Sequence, residues 1–489
     1  MLELKSVNPK KERIKTLVIP VCEDADIHDI RPVGVLTKKA MKLEEFSGKA
    51  EEEVVFHHPA ELAADRVILM GAGPLASADL ETYRALAGRA VRGCMTRGID
   101  DVLIAVPSEG KSGIGAADLI TAMMEGAFLA NHIFDRYKSD KKQAPLKDIA
   151  LWVKARDAGR LAGLPDRVAA ACEGTLLARD WVSLPANDKR PDAYAESIAA
   201  RARDRGLIAE VWDEKALEEN GFGALLAVGQ GSLARPRLVI LEYRPKNAAK
   251  TVCLIGKGVT FDSGGLNLKV GGSMEGMKMD MAGSAAVAGA LISAARLTPK
   301  VNIVGILPLV ENMPSGGAIR PGDIIRTYSG KTVEIGNTDA EGRLILADAL
   351  AYAVNTYHPD TLIDLATLTG ACVVALGEKI AAVFTAEDAL AEAILASGRR
   401  THERCWRMPM PEDYKELLKS DFADISNMSS SKWGGAITAA LFLSSFVKDT
   451  RWAHIDIAGP AYAKKAGPYC GPGGTGFGVR LLLDLLERI

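Results

Sequence analysis

The chain has no apolar run long enough to cross a membrane. Its most lipid-like stretch, residues 437–447, falls well short of the ~20 residues that a spanning helix needs. Through Lys15 the N-terminus is polar and lacks the apolar core of a signal peptide. Neither sign of charge is in excess: 60 basic residues face 62 acidic ones, and a net charge of −2 gives no global attraction to a polyanion. Seven cysteines are scattered without metal-type spacing, and their odd number predicts a reduced, cytoplasmic chain. The seven histidines are equally dispersed. Their one adjacent pair, His57 and His58, would point apart on a strand, so no histidine-rich zinc site is expected. Neither an internal repeat nor a low-complexity segment is present. These exclusions leave a globular protein. Its 489 residues exceed the ~250–300 at which a single core divides, so two domains are expected.

What the chain does have is carboxylates gathered at the ends of apolar runs. Residues 337–344, Asn-Thr-Asp-Ala-Glu-Gly-Arg-Leu, set Asp339, Glu341 and Arg343 at alternate positions between a strand-like run at 331–335 and a helical pattern at 344–350. A strand-to-helix corner is where an α/β sheet presents ligand groups, and alternate residues of an extended turn point the same way. Upstream, residues 256–265, Gly-Lys-Gly-Val-Thr-Phe-Asp-Ser-Gly-Gly, follow a strand-like run and carry Lys257 and Asp262. Lys269 comes next, and Asp280 lies among methionines before a small-residue helix at 283–296. A carboxylate in apolar surroundings is costly unless paired or bound to metal. Asp262, Asp280, Asp339 and Glu341 together suit two divalent ions bridged by shared oxygens, which leaves Lys269 and Arg343 to meet an anionic state of a substrate. Plainer readings are helix caps at Thr338 or Asp339 and at Asp280, and a phosphate-type cation at Lys257. The arithmetic of charge describes a metal-assisted hydrolase without saying which bond is cut.

The segments at 256–265 and 337–344 resemble the paired signature of the leucyl (cytosol) aminopeptidases, peptidase family M17. The likeness runs from Leu184 to the C-terminus, through residues 311–316, 366–370 and 433–436. It implies a metal-dependent exopeptidase that removes leucine and other apolar residues from peptides with a free N-terminus. By motif position it implies that Asp262, Asp339 and Glu341 share a more exchangeable divalent ion, Mn2+ or Zn2+, and that Lys257, Asp262, Asp280 and Glu341 hold a tighter one. Lys257 would then bind as a neutral amine. Lys269 would polarise the scissile carbonyl, and Arg343 would hold a bicarbonate that takes a proton from the bridging water. Met277, Asn337, Thr367, Leu368 and Gly370 match positions that face the substrate. A homo-hexamer is implied as well. Departures are small: Ala282-Gly283-Ser284 stands where the family often has Gly-Gly-Ala, and Trp433 where tyrosine is frequent. Two rivals stay open. A two-metal phosphoesterase uses the same carboxylates but commonly adds histidines, which these motifs lack; a DNA-binding role, carried by some bacterial members, finds no support in the charge balance.

The expected scaffold is a small N-terminal mixed α/β domain at 1–159, a connecting helix at 160–183, and a larger catalytic α/β domain with a central mixed sheet at 184–489. In the first part, 17–21, 67–70 and 102–106 read as buried strands and 80–97 and 116–137 as helices. Gly71-Ala72-Gly73-Pro74 follows a strand but lacks a third glycine, and Pro74 removes an amide donor, so no nucleotide site is expected there. In the larger part, 209–212, 224–228, 238–241, 252–255, 302–307 and 362–365 read as strands, several of them unbroken apolar runs suited to a sheet covered on both faces. Residues 466–478 read as a loop and 479–488 as a closing helix.

Overall fold

The computed structural model describes residues 2–488, and the chain packs as two compact units. One holds the chain up to Cys172 together with Lys465–Pro472; the other holds Glu173–Lys464 and the chain from Gly473 onward. The division falls inside the helix Leu164–Ser183. Among the described residues, no helix is long and apolar enough to cross a membrane.

Six strands build the first unit: β1 (Leu2–Lys5), β2 (Ile14–Cys22), β3 (Glu53–His57), β4 (Ala64–Gly73), β5 (Asp101–Ala105) and β6 (Asp148–Trp152). Their order is β1-β6-β5-β2-β4-β3, and only β3 runs against its neighbour. Parallel strands need both faces covered, which is why β2 is buried at almost every position. The helix Leu80–Thr96 starts at a capping box between Asp79 and Thr82. Gly88 on that helix lies against the late segment: a Cβ there would come within 2.8 Å of the Pro468 carbonyl oxygen. The Tyr469 hydroxyl donates to Glu81 at 2.9 Å. This fit assigns Lys465–Pro472 to the first unit despite its distance in sequence.

The second unit has β7 (Ile208–Trp212), β8 (Arg237–Tyr243), β9 (Thr251–Gly256), β10 (Gly258–Asp262), β11 (Asn302–Asn312), β12 (Ile324–Arg326), β13 (Thr332–Glu334), β14 (Thr361–Ala366), β15 (Ala381–Phe384), β16 (Cys405–Arg407), β17 (Ile425–Ser426) and β18 (Trp452–Asp456). The main sheet is ordered β16-β15-β18-β14-β9-β11-β8-β7. It is parallel at its centre and antiparallel at β15/β18, β11/β8 and β8/β7. Strand β10 continues the line of β9 along β11, after a gap of one residue. That residue is Lys257. Strands β12, β13 and β17 form a separate small sheet.

Two expectations are corrected. Residues 224–228 are not a strand but part of the helix Gly223–Gly229. A short apolar run carries too little periodicity to tell the two apart. Here the buried Asp348 carboxylate decides, because its Oδ2 accepts from the Ala224 and Leu225 N–H groups at 2.9 Å each and so holds the first turn of the helix. The helix expected at 116–137 ends at Ala130, where the Asn131 side chain leaves to make two hydrogen bonds with the main chain of Leu146. The helix expected at 160–183 spans Leu164–Ser183, after a separate short helix Ala155–Arg160, and Pro165 sits in its first turn, where its missing N–H is harmless.

Candidate metal centre

At the carboxyl ends of β9, β10 and β14 the central sheet delivers its charged groups to one place. Lys257 occupies the break between β9 and β10, and its main chain is held by the Leu365 carbonyl and the Ser284 N–H. Asp262 is the last residue of β10. Gly264 and Gly265, both at positive φ, then turn the chain sharply enough for Lys269 to return to it. Asp280 follows the short 3-10 turn Met277–Met279, Glu341 opens the helix Glu341–Tyr357, and Asp339 lies two residues before it.

The cap readings fail. The N-caps of the two helices are Met281 and Ala340, neither with a side-chain capping bond. Instead Asp262, Asp280 and Glu341 face one another, each no more than 4% exposed, with one carboxylate oxygen from each all within 4.8 Å. Asp339 is half-buried beside them. Lys257 Nζ sits 2.8 Å from both Asp280 Oδ2 and Glu341 Oε1 and donates to the Thr367 carbonyl at 2.8 Å. Lys269 Nζ lies 2.9 Å from Asp262 Oδ2 and 2.5 Å from Asp339 Oδ1. The glycine within the Asp-Ala-Glu-Gly-Arg run is forced by this packing. A Cβ on Gly342 would stand 2.5 Å from Lys257 Cε and 2.6 Å from its Nζ.

The electrostatics describe a site short of positive charge. Burial, with the neighbouring carboxylates, pushes Asp280 up to about 6 and Glu341 up to about 8, against the pull of Lys257. Burial also works against the Lys257 ammonium, yet Asp280, Glu341 and Asp262 outweigh it and hold its pKa above the ordinary lysine value. Lys269 is raised in the same way by Asp262 and Asp339. A cluster that clings to its protons is one in which other cations can replace them. Asp280 Oδ2 and Asp339 Oδ1 are buried and meet only the lysine ammonium groups. Hard, crowded, under-satisfied oxygens of this kind fit divalent ions.

Arg343 is buried next to the cluster. Its Nη1 donates to the Asn427 carbonyl at 2.7 Å while its Nε has no partner. Burial lowers its pKa to about 10 against the pull of Glu341 and Asp456. Of the positions matched to substrate, Thr367 donates its hydroxyl to Asp280 Oδ1 at 2.7 Å. Asn337 Oδ1 accepts from the Asp339 N–H at 2.7 Å. Met277 and Leu368 are half-buried and Gly370 is exposed.

Several supporting residues had no role in the sequence reading, or, for Thr338, only that of a helix cap. Asn312 donates to Asp262 Oδ1 at 2.8 Å and so fixes one oxygen, while the other meets Lys269. Thr338 and Asn267 exchange bonds, Thr338 N–H to Asn267 Oδ1 and Asn267 N–H to Thr338 Oγ1, both at 2.8 Å, which ties the Lys269 loop to the Asp339 loop. Asn427 accepts from the Gly336 N–H and donates to the Asn337 carbonyl. The only signal for any of these was that residues 311–316 and 337–344 were already singled out as motifs.

Residues 176–483 match the catalytic domain of the cytosol aminopeptidase family, and residues 23–141 match that family's N-terminal domain. A probable cytosol aminopeptidase of Syntrophotalea carbinolica is 47% identical over 453 residues, 91% of this chain and 90% of its own. A second, from a Geobacter species, is 42% identical over 100% of this chain and 99% of its own. Among solved structures, the bottromycin maturation enzyme BotP in complex with Mn superposes with a TM-score of 0.86 at 37% identity, covering 97% of this chain and 99% of that one. A tomato leucine aminopeptidase variant reaches 0.88 at 32% identity, over 100% and 96%.

Proposed function

This chain belongs to the cytosol aminopeptidase family, and we propose that it removes apolar residues, leucine foremost, from peptides with a free N-terminus. Membership makes it a metal-dependent hydrolase that cleaves peptides at the N-terminal end. The finer reading rests on one observation above all, the three buried carboxylates whose oxygens converge within 4.8 Å.

In this reading Asp262, Asp339 and Glu341 hold one Mn2+ or Zn2+ ion, and Lys257, Asp262, Asp280 and Glu341 hold a second. Lys257 gives up its proton to do so, and the surrounding acids that retain a proton as an ammonium retain a dication in its stead. When bound, the two ions supply Lewis acidity and an activated water. Lys269 turns its ammonium to the carbonyl oxygen of the scissile bond and stabilises charge as it develops there. Arg343, a rigid planar fork with one arm fixed by Asn427, offers its remaining donors to an anion of carboxylate shape, for which bicarbonate is the candidate base. Met277, Asn337, Thr367, Leu368 and Gly370 surround the first residue of the peptide. The same reading includes a cytoplasmic homo-hexamer, which a single-chain mass in light scattering of active protein contradicts.

The test compares leucine p-nitroanilide, its N-acetylated form and p-nitrophenyl phosphate, each with and without a chelator. Chelator-sensitive turnover of the first alone is expected. Equal turnover of the acetylated substrate contradicts exopeptidase action, and turnover of the phosphate ester alone restores the phosphoesterase.

A further inference from the structure

Three ionisable side chains behind the centre, Asp364, His454 and Asp456, are completely buried and have no part in the chemistry above. Asp364 on β14 and His454 on β18 are register partners, and Asp456 lies two residues further along β18, on the same face as His454. One Asp364 oxygen accepts the Trp452 indole N–H at 2.8 Å, and the other pairs with His454 Nδ1 at 2.6 Å. Phe384 stacks on the imidazole with ring centroids 5.8 Å apart.

Asp456 bonds the chain that follows β14. Its Oδ1 accepts from the Leu368 N–H at 3.2 Å and the Ala458 N–H at 3.0 Å, and its Oδ2 from the Thr369 hydroxyl at 2.7 Å. Thr369 Oγ1 in turn accepts from the Cys372 N–H at 3.0 Å, which caps the helix Gly370–Leu376. From the opposite side, Asp280 and Lys257 grip the Thr367 hydroxyl and carbonyl. Residues 367–369 are therefore strung between the metal centre and Asp456.

We propose that Asp456 is a specificity-determining positioning residue, which shapes the pocket for the substrate's first side chain by fixing the Leu368 N–H and the Thr369 hydroxyl, with His454 beside it on the same face of β18. His454 Nε2 has no hydrogen-bond partner, so the imidazole acts on Asp456 through its field and not by a direct bond. Burial opposes the imidazolium, but Asp364 and then Asp456 raise its pKa above the ordinary histidine value. The proposal rests on the reading of Leu368 and Gly370 as substrate-facing.

Steady-state kinetics of Asp456→Asn and Thr369→Val on leucine and alanine p-nitroanilides test it, with metal content and melting temperature measured on the same samples. A pocket wall set loose gives up discrimination, so the leucine-to-alanine ratio of kcat/KM is expected to fall ~5- to 10-fold. KM for the leucine substrate should rise by more than kcat falls, the signature of lost ground-state contacts, while both ions stay bound. His454→Gln should show the same pattern at smaller size. Folded Asp456→Asn with unchanged KM and unchanged ratio overturns the proposal, as does loss of both ions from that variant. If Asp456→Asn does not fold, Thr369→Val decides by the same ratio. Wild-type protein that cleaves neither substrate overturns the aminopeptidase reading itself, and is seen before any variant is made.

Discussion

Where β6 ends, Lys154 meets Asp29 at 2.8 Å with both side chains about half exposed; where β9 ends, Lys257 meets Asp280 and Glu341 at the same 2.8 Å with all three in the interior. The distances are equal and the physics is not. In water-like surroundings an ion pair is worth little, because solvent screens both partners. Buried charges meet each other strongly, but each has lost several kcal/mol or more of hydration that the pairing need not return. The first unit keeps Lys154, Lys111, Asp26 and Asp29, in the segments that follow its strands, as a partly solvated surface set. At the carboxyl-end side of its central sheet the second unit buries three acids whose oxygens lie within 4.8 Å of one another. A chain carries that cost when the acids serve cations that are not its own lysines.

Removing one shared acid should have the largest effect. Glu341→Gln is expected to lower kcat/KM by ~1000-fold or more with loss of bound metal, since one carboxylate faces both proposed ions. Retention of two ions at wild-type affinity would place the site elsewhere.

Next in size is the split between the two lysines. Arginine keeps its proton and has no lone pair for a metal. Lys257→Arg should therefore lose metal as well as rate, whereas Lys269→Arg should keep both ions and lose turnover by up to ~100- to 1000-fold. Metal stoichiometry measured beside rate separates them; two tightly held ions in Lys257→Arg would return that residue to the role of a phosphate-type cation.

A buried acid that touches neither the centre nor the 367–369 segment, Asp348, should act on stability alone. Asp348 accepts from the N–H groups of Ala224, Leu225 and Tyr328. Asp348→Ala leaves all three unsatisfied and should cost on the order of 3 kcal/mol. Denaturant melts read the effect, and a midpoint equal to wild type would contradict it. At the surface, Lys154→Ala should change stability by no more than about 0.5 kcal/mol and leave activity unaltered. A large loss there would erase the contrast between the two units.

Much of the site was legible because its chemistry is local in sequence. Asp339, Glu341 and Arg343 fall within five residues, and Lys257 precedes and Asp262 ends a single strand, so spacing alone could suggest convergence. The strands of the central sheet were legible for a related reason: buried parallel strands are continuous apolar runs, and 252–255, 302–307 and 362–365 were such runs. Residues 224–228 had the same look and fold as helix, because the deciding contact comes from Asp348, more than a hundred residues away. Asp364, His454 and Asp456 were hidden in the same way. Each sits within an apolar stretch, a sign that could have been heeded, but their alignment exists only once β14 lies beside β18.

The most direct test of the account is a crystal structure of the protein grown with Mn2+, with anomalous scattering recorded at the manganese edge. Two peaks are predicted among Asp262, Asp280, Asp339 and Glu341, ~3.5–4 Å apart, with Lys269 Nζ drawn away from Asp262 and Asp339. A single peak, or none at saturating manganese with both lysines still paired to the acids as they are now, would contradict it.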